Sequence, residues 1–304
     1  MWGDMGRRSR CSSAPHLKEY KPGARAGGVY MKFSLAHLTL LPVAPPEMTY
    51  IAARAGFDSV SFRIIPLGLP GEKRFAVYED KELFRRTKTA LRDTGLGVLD
   101  VELARIADGV DVKQYVPGME AAAELGAKHM TSSVWTADRT FALEAFMELC
   151  DLAKPFGLTV DIEFVTWANL TGVADTAAFL RDAGRDNCGI LVDTLHFHRS
   201  RCTLEEAEAL PPEWIHYIHI CDAPAAIPET TEGLIHAGRA ERLYVGEGGI
   251  NIAEILNRLP EAACAIELPH AQRADEFGYA EHACRSLETA KAYFAENPVS
   301  FRPV

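Results

Sequence analysis

The chain predicts a single α/β domain folded as a (β/α)8 TIM barrel, on three observations. Strand-like apolar runs alternate in strict order with helix-like segments along residues 31–304. There are eight such runs, the number that closes a barrel. No linker-like stretch divides this part of the chain, and 304 residues with 48% hydrophobic content suffice for one large core. A doubly wound open sheet is the competing architecture. The first turn lacks a Gly-x-Gly-x-x-Gly, which weakens its dinucleotide-binding version.

The strands are expected at 31–37, 59–65, 97–103, 129–135, 159–165, 189–195, 215–221 and 263–268, each short and apolar or β-branched, as buried parallel strands are. Helical periodicity follows at Glu47–Ala55, Lys81–Thr94, Val116–Leu125 and Arg139–Phe156. Each stops at a glycine (Gly56, Gly95, Gly126, Gly157), as left-handed C-caps require. Thr203-Leu-Glu-Glu206 and Asn251-Ile-Ala-Glu254 read as capping boxes opening later helices. A last helix is expected over about Glu276–Glu296, ending before Pro298. The longest irregular stretch is Ala223–Gly249.

Residues 1–30 are basic and rich in serine and glycine, with no apolar core for a secretory signal; they read as a disordered N-terminal extension or tag before a barrel domain at 31–304. A net charge of −10 argues against nucleic acid or an anionic membrane as partner. No apolar run is long enough to span a bilayer. Seven cysteines without a Cys-x-x-Cys pair suit a reduced, cytoplasmic protein.

Four of the later strands end in a metal-binding residue type. Thr159-Val-Asp-Ile-Glu163, Gly189-Ile-Leu-Val-Asp193, Ile215-His-Tyr-Ile-His219 and Cys264-Ala-Ile-Glu267 end in Glu163, Asp193, His219 and Glu267. Apolar runs seek burial, and carboxylates at their ends resist it unless paired or bound to an ion. In a barrel these ends share one rim, where chemistry is done. Three carboxylates and one imidazole favour Mn²⁺, with Mg²⁺, Co²⁺ or Zn²⁺ as alternatives.

Residues 31–296 resemble the sugar phosphate isomerase/epimerase superfamily, the xylose isomerase-like TIM barrels. The motifs that carry the resemblance are Asp161-Ile-Glu163, Asp193-Thr-Leu-His196, Ile218-His219-Ile-Cys-Asp222, Val245-Gly-Glu-Gly248 and Ala265-Ile-Glu267. The resemblance implies that Glu163, Asp193, His219 and Glu267 hold the metal and that Glu163 and Glu267 also act as acid and base. It implies that His196 and Arg242 contact substrate. Two departures are Val245, where the family often has proline, and Asn251, where it often has aspartate.

A metal so bound can chelate the carbonyl and hydroxyl of a keto-sugar and stabilise an enediolate. Glu163 and Glu267, on different sides of the mouth, could take and return a proton. The expected function is therefore a metal-dependent isomerase or epimerase of a small polyhydroxy carbonyl compound. The alternative is a lyase of the 3-dehydroshikimate dehydratase type. An AP-endonuclease-like repair enzyme or a non-catalytic binding barrel ranks below both. A homo-oligomer is expected on general grounds.

Further rim candidates are Glu102, expected to bind substrate or to pair with Arg105, and Glu247, expected to orient a ligand or hold Arg242. His37, Arg63 and Trp135 complete this set, Trp135 chiefly as packing. The Gly246–Gly249 turn offers amides for a phosphate. His198 and Arg199 read as surface residues, and His216 as facing the helices.

Overall fold

A computed structural model of the chain describes residues 31–68 and 72–303; the expected N-terminal extension at 1–30 lies outside the described residues. Eight parallel strands close into a ring in sequence order. They are β1 (Phe33–Ala36), β2 (Ser59–Arg63), β3 (Gly97–Ile106), β4 (His129–Val134), β5 (Thr159–Glu163), β6 (Cys188–Asp193), β7 (Tyr217–Ile220) and β8 (Ala263–Ile266). The ring shuts where β8 pairs with β1, Cys264 opposite Phe33 and Ile266 opposite Leu35. This excludes the open doubly wound sheet.

The helices are α1 (Pro45–Ala55), α2 (Lys81–Thr94), α3 (Val116–Glu124), α4 (Arg139–Ala153), α5 (Val173–Ala183), α6 (Thr194–Arg199), α7 (Leu204–Glu208), α8 (Thr231–Ala240), α9 (Ile252–Leu256), α10 (Ala271–Phe277) and α11 (Tyr279–Glu296). Gly56 and Gly95 end α1 and α2 at φ of 91° and 72°, in the left-handed region, as their positions foretold.

Four expectations change in detail. The stretch 223–249 is not irregular throughout, because α8 lies inside it; two internal glycines weaken its helical pattern. The last helix is two, divided at Gly278. The capping box at Thr203 forms, whereas Asn251 turns its amide to Glu254 and leaves the backbone uncapped. Cys150, Cys188, Cys202, Cys221 and Cys264 are free as expected, but Cys284 is disulfide-bonded. No helix among the described residues is long and apolar enough to cross a membrane.

Apolar side chains fill the space between ring and helices, with Phe57, Phe62, Phe146, Phe179 and Phe294 fully buried. The inside of the ring is polar instead. Tyr217 of β7 meets Thr131 of β4 at 2.7 Å, and Thr131 donates to Asp100 of β3 at 3.2 Å. β7 and β4 are not neighbours, so the Tyr217–Thr131 contact crosses the barrel interior, whereas Asp100 lies on the strand beside Thr131. Below them, toward the N-terminal ends of the strands, His216 Nδ1 lies 2.5 Å from Asp161 Oδ1. His216 therefore turns to the barrel floor rather than to the helices. Gly189 makes room for that contact: a Cβ there would meet Asp161 Oδ1, Trp214 O at 2.6 Å and His216 Nδ1 at 2.7 Å.

Candidate metal centre

The C-terminal ends of β5, β6, β7 and β8 bring Glu163, Asp193, His219 and Glu267 together, with one ligand atom from each inside 4.8 Å of the others. Parallel register produces this convergence, since Asp193 is level with His219 across β6 and β7. His219 Nδ1 lies 3.7 Å from Glu163 Oε1 and 3.6 Å from Glu267 Oε1, beyond hydrogen-bond length. Both ring nitrogens of His219 and Glu163 Oε1 are buried with no hydrogen-bond partner. Buried polar atoms rarely go unpaired, and one nitrogen of His219 with Glu163 Oε1 is left for a shared cation to satisfy. The donor set of three carboxylates and one imidazole fits a divalent metal.

Arg242 underlies this cluster. Only 2% exposed, it donates from Nη1 to Asp193 Oδ2 at 2.6 Å and pairs through Nη2 with Glu267 Oε2 at 2.9 Å. Its Nε donates to Gly238 O at 2.8 Å. The resemblance makes Arg242 a substrate contact; in the structure its guanidinium is occupied by two of the three acids and by the carbonyls of Gly238 and Glu267. Asp193 Oδ1 accepts from the amides of Leu195 and His196 and so caps α6.

The two glutamates differ in charge state. Burial pushes Glu163 up to about 7, and Glu267 adds to the rise against the pull of His219. Burial acts on Glu267 in the same sense, but Arg242 and His219 outweigh it and hold that carboxyl well below the usual range. His219, facing two acids, is raised despite burial.

The other rim candidates are distributed differently from expectation. His196 is buried beside the cluster, its Nδ1 3.2 Å from Thr166 Oγ1 and its ring 5.0 Å from that of Trp167. Glu102 is buried and pairs with Arg63 at 2.8 Å, not with Arg105. Arg105 lies over the Trp135 ring at 4.1 Å, so Trp135 is a stacking platform rather than core. Glu247 is exposed and pairs with Arg273 at 2.6 Å, away from Arg242. The glycine turn is spoken for, because the amides of Gly246, Gly248 and Ile250 all donate to the Asp222 carboxylate. His37 is locked between the Arg63 amide and the Val43 carbonyl, and burial lowers it to about 4. Arg199 is buried against Pro224 O rather than at the surface.

Two features escaped the sequence reading. Asp100 sits mid-strand, and its partner Thr131 comes from the adjacent strand β4, 31 residues along the chain. Trp167 follows β5 by four residues and carries a buried, unpartnered Nε1; an aromatic beyond a ligand-bearing strand end was the available signal.

The family model of the xylose isomerase-like TIM barrel matches residues 50–290. An inosose isomerase from Bacillus velezensis is 25% identical over 160 residues, covering 49% of this chain and 55% of that protein, so the match spans about half the length of that curated relative. An L-ribulose 3-epimerase from Mesorhizobium japonicum is 27% identical over 264 residues, 86% of this chain and 76% of that protein. Among solved structures, an IolI protein crystallised with a bound zinc atom superposes with a TM-score of 0.75 at 17% identity, over 88% of this chain and 99% of that one.

Proposed function

The chain belongs to the xylose isomerase-like TIM barrel family, and from that premise we propose that it is a divalent-metal-dependent isomerase or epimerase of a small polyhydroxy carbonyl compound. The observation that carries this reading is the convergence of Glu163, Asp193, His219 and Glu267 around three buried, unpaired polar atoms. The relatives named as an inosose isomerase and an L-ribulose 3-epimerase support it. Those four residues would hold the metal. Bound there, a divalent cation supplies positive charge that polarises a carbonyl beside a hydroxyl.

The chain's own residues do the rest. Glu163, raised by burial in the metal-free cluster, would be held ionised beside a bound cation and so could accept a proton from one flank of the substrate. Glu267, kept ionised by Arg242, can accept one from the other flank. His196 and Glu102 would hold substrate hydroxyls. Arg242 keeps Asp193 and Glu267 aimed. Mn²⁺ is the proposed metal, on the oxygen-rich donor set.

The test is Mn²⁺-loaded protein incubated with ketoses in D₂O and followed by NMR. Deuterium should enter at the carbon beside the carbonyl, and Glu163→Gln or Glu267→Gln should each slow that exchange by about 10²-fold or more. A new conjugated absorbance with loss of water would make the protein a lyase. Unchanged exchange in both variants would refute the assignment of these glutamates.

A further inference from the structure

The barrel floor holds a carboxylate with no permanent counter-charge. The Asp161 side chain is only 1% exposed, and a buried carboxylate is costly unless it is paired or bound to an ion. At the rim arginines meet that need: Arg242 serves Asp193 and Glu267, and Arg63 serves Glu102. Asp161 has no Arg or Lys partner among the described residues and faces two imidazoles instead.

His216 Nδ1 stands 2.5 Å from Asp161 Oδ1, and His129 Nδ1 stands 3.9 Å from Asp161 Oδ2. The Thr159 hydroxyl donates to Asp161 Oδ2 at 2.7 Å and lies 2.8 Å from His129 Nδ1. The two imidazole rings stack at 5.1 Å and 14°, each with its Nδ1 toward the one carboxylate. One ligand atom from each of the three residues lies within 4.8 Å of the others.

The fold is arranged for this meeting. His129 opens β4, Asp161 lies within β5, and His216 directly precedes β7. Strand β6 stands between Asp161 and His216, and its residue level with Asp161 is Gly189. A Cβ at Gly189 would lie 2.7 Å from His216 Nδ1, so the missing side chain lets His216 reach across β6. Asp161 precedes Glu163 by two residues and shares its face of β5, about 7 Å farther from the rim. The side chains of His129 and His216 are 17% and 22% exposed, so solvent reaches this group at the end of the barrel opposite the rim.

We propose that His129, Asp161 and His216 form a second metal site, which takes Zn²⁺ and pins β4, β5 and β7 together beneath the rim centre. Two imidazoles and one carboxylate are a zinc donor set, with a fourth position left to water. The rim, with three carboxylates and one imidazole, suits harder ions such as Mn²⁺; two nitrogens among three donors reverse that preference. The ion takes the place of the proton between His216 and Asp161 and displaces the Thr159 hydroxyl from His129. Both imidazoles then carry their protons on Nε2 and give their Nδ1 lone pairs to the metal. The floor site stands apart from the isomerase reading, since none of its residues is a rim ligand.

Metal analysis of protein loaded with Zn²⁺ and dialysed free of excess tests the site. The double variant His129→Gln/His216→Gln should retain one zinc fewer per chain than the wild type, whatever the rim takes up. His219→Ala, which disables the rim, should keep one zinc and no manganese, and adding the two floor substitutions should remove that zinc. Co²⁺ in His219→Ala should give the visible bands of a four-coordinate ion, and these too should vanish with the floor substitutions. Zinc should raise the melting temperature of His219→Ala and leave that of the triple variant unmoved. Glutamine can still hydrogen-bond to Asp161; if the double variant does not fold, His216→Gln alone carries each comparison. Equal zinc content with and without the floor substitutions, in either background, overturns the proposal.

Discussion

Arg242 and Asp193 meet at 2.6 Å through Nη1 and Oδ2, both side chains almost wholly out of solvent, although 49 residues separate them. A buried pair of this kind is a weak source of net stability while intact and costly to break from one side.

Arg242→Ala should therefore destabilise the protein by about 3–5 kcal/mol, since it strands Asp193 and Glu267 without their counter-charge. Urea denaturation measures this directly. Arg242→Lys, which cannot serve both acids at once, should fold and bind Mn²⁺ about 10–100-fold more weakly. A lysine variant with normal metal affinity but a raised KM would return Arg242 to the role of substrate contact.

Asp100 sets a pH dependence. Burial, reinforced by Glu102, pushes its carboxyl up to about 7 against His219, Ser61 and Thr131. A carboxyl raised above its unfolded value contributes stability that is whole below pH about 4 and is lost as pH climbs through about 7. Relative to Asp100→Asn, the metal-free wild type should lose up to about 4 kcal/mol over that interval and no more above it. Unfolding free energies at pH 4.5, 6 and 8 in the presence of chelator give the comparison; a pH-independent difference would show that Asp100 does not titrate there.

Gly189→Ala should destabilise by about 1–3 kcal/mol, because the new methyl occupies the space of the His216–Asp161 contact. Calorimetric melting reads the loss. Combining it with His216→Ala should recover part of it, and full additivity of the two losses would contradict the shared-space account.

Chelation should lower the melting temperature of the metal-loaded protein. At metal concentrations about 100 times Kd, binding to the native state contributes about 2.7 kcal/mol. His219→Ala should lose both the shift and stoichiometric metal, while Glu247→Gln, outside the cluster, should keep both.

The strand endings were legible because Glu163, Asp193, His219 and Glu267 each violate the apolar run they close, and an alternating chain gives them one rim. What those residues touch was not. Arg242 lies 49 and 25 positions from its two acids, and Glu102 lies 39 from Arg63, so neighbours in sequence such as Arg105 and Glu247 were natural but mistaken partners. The glycine turn misled for a related reason: its amides do invite an anion, and Asp222 of the same chain supplies it. Helix α8 was hidden by the glycine at position 238, whose bare backbone makes sense only once Trp167 is seen against it.

Glu267 is contributed by the last strand of the ring, whose free edge has only β1 left to pair with. The four-residue cluster is thus also a record of closure. A chain cut short of Ala263 still carries Glu163, Asp193 and His219, yet has neither the third acid nor the seam that closes the ring. The proposed cation affinity would in that sense be a whole-chain property, acquired when the first and last strands of the barrel meet.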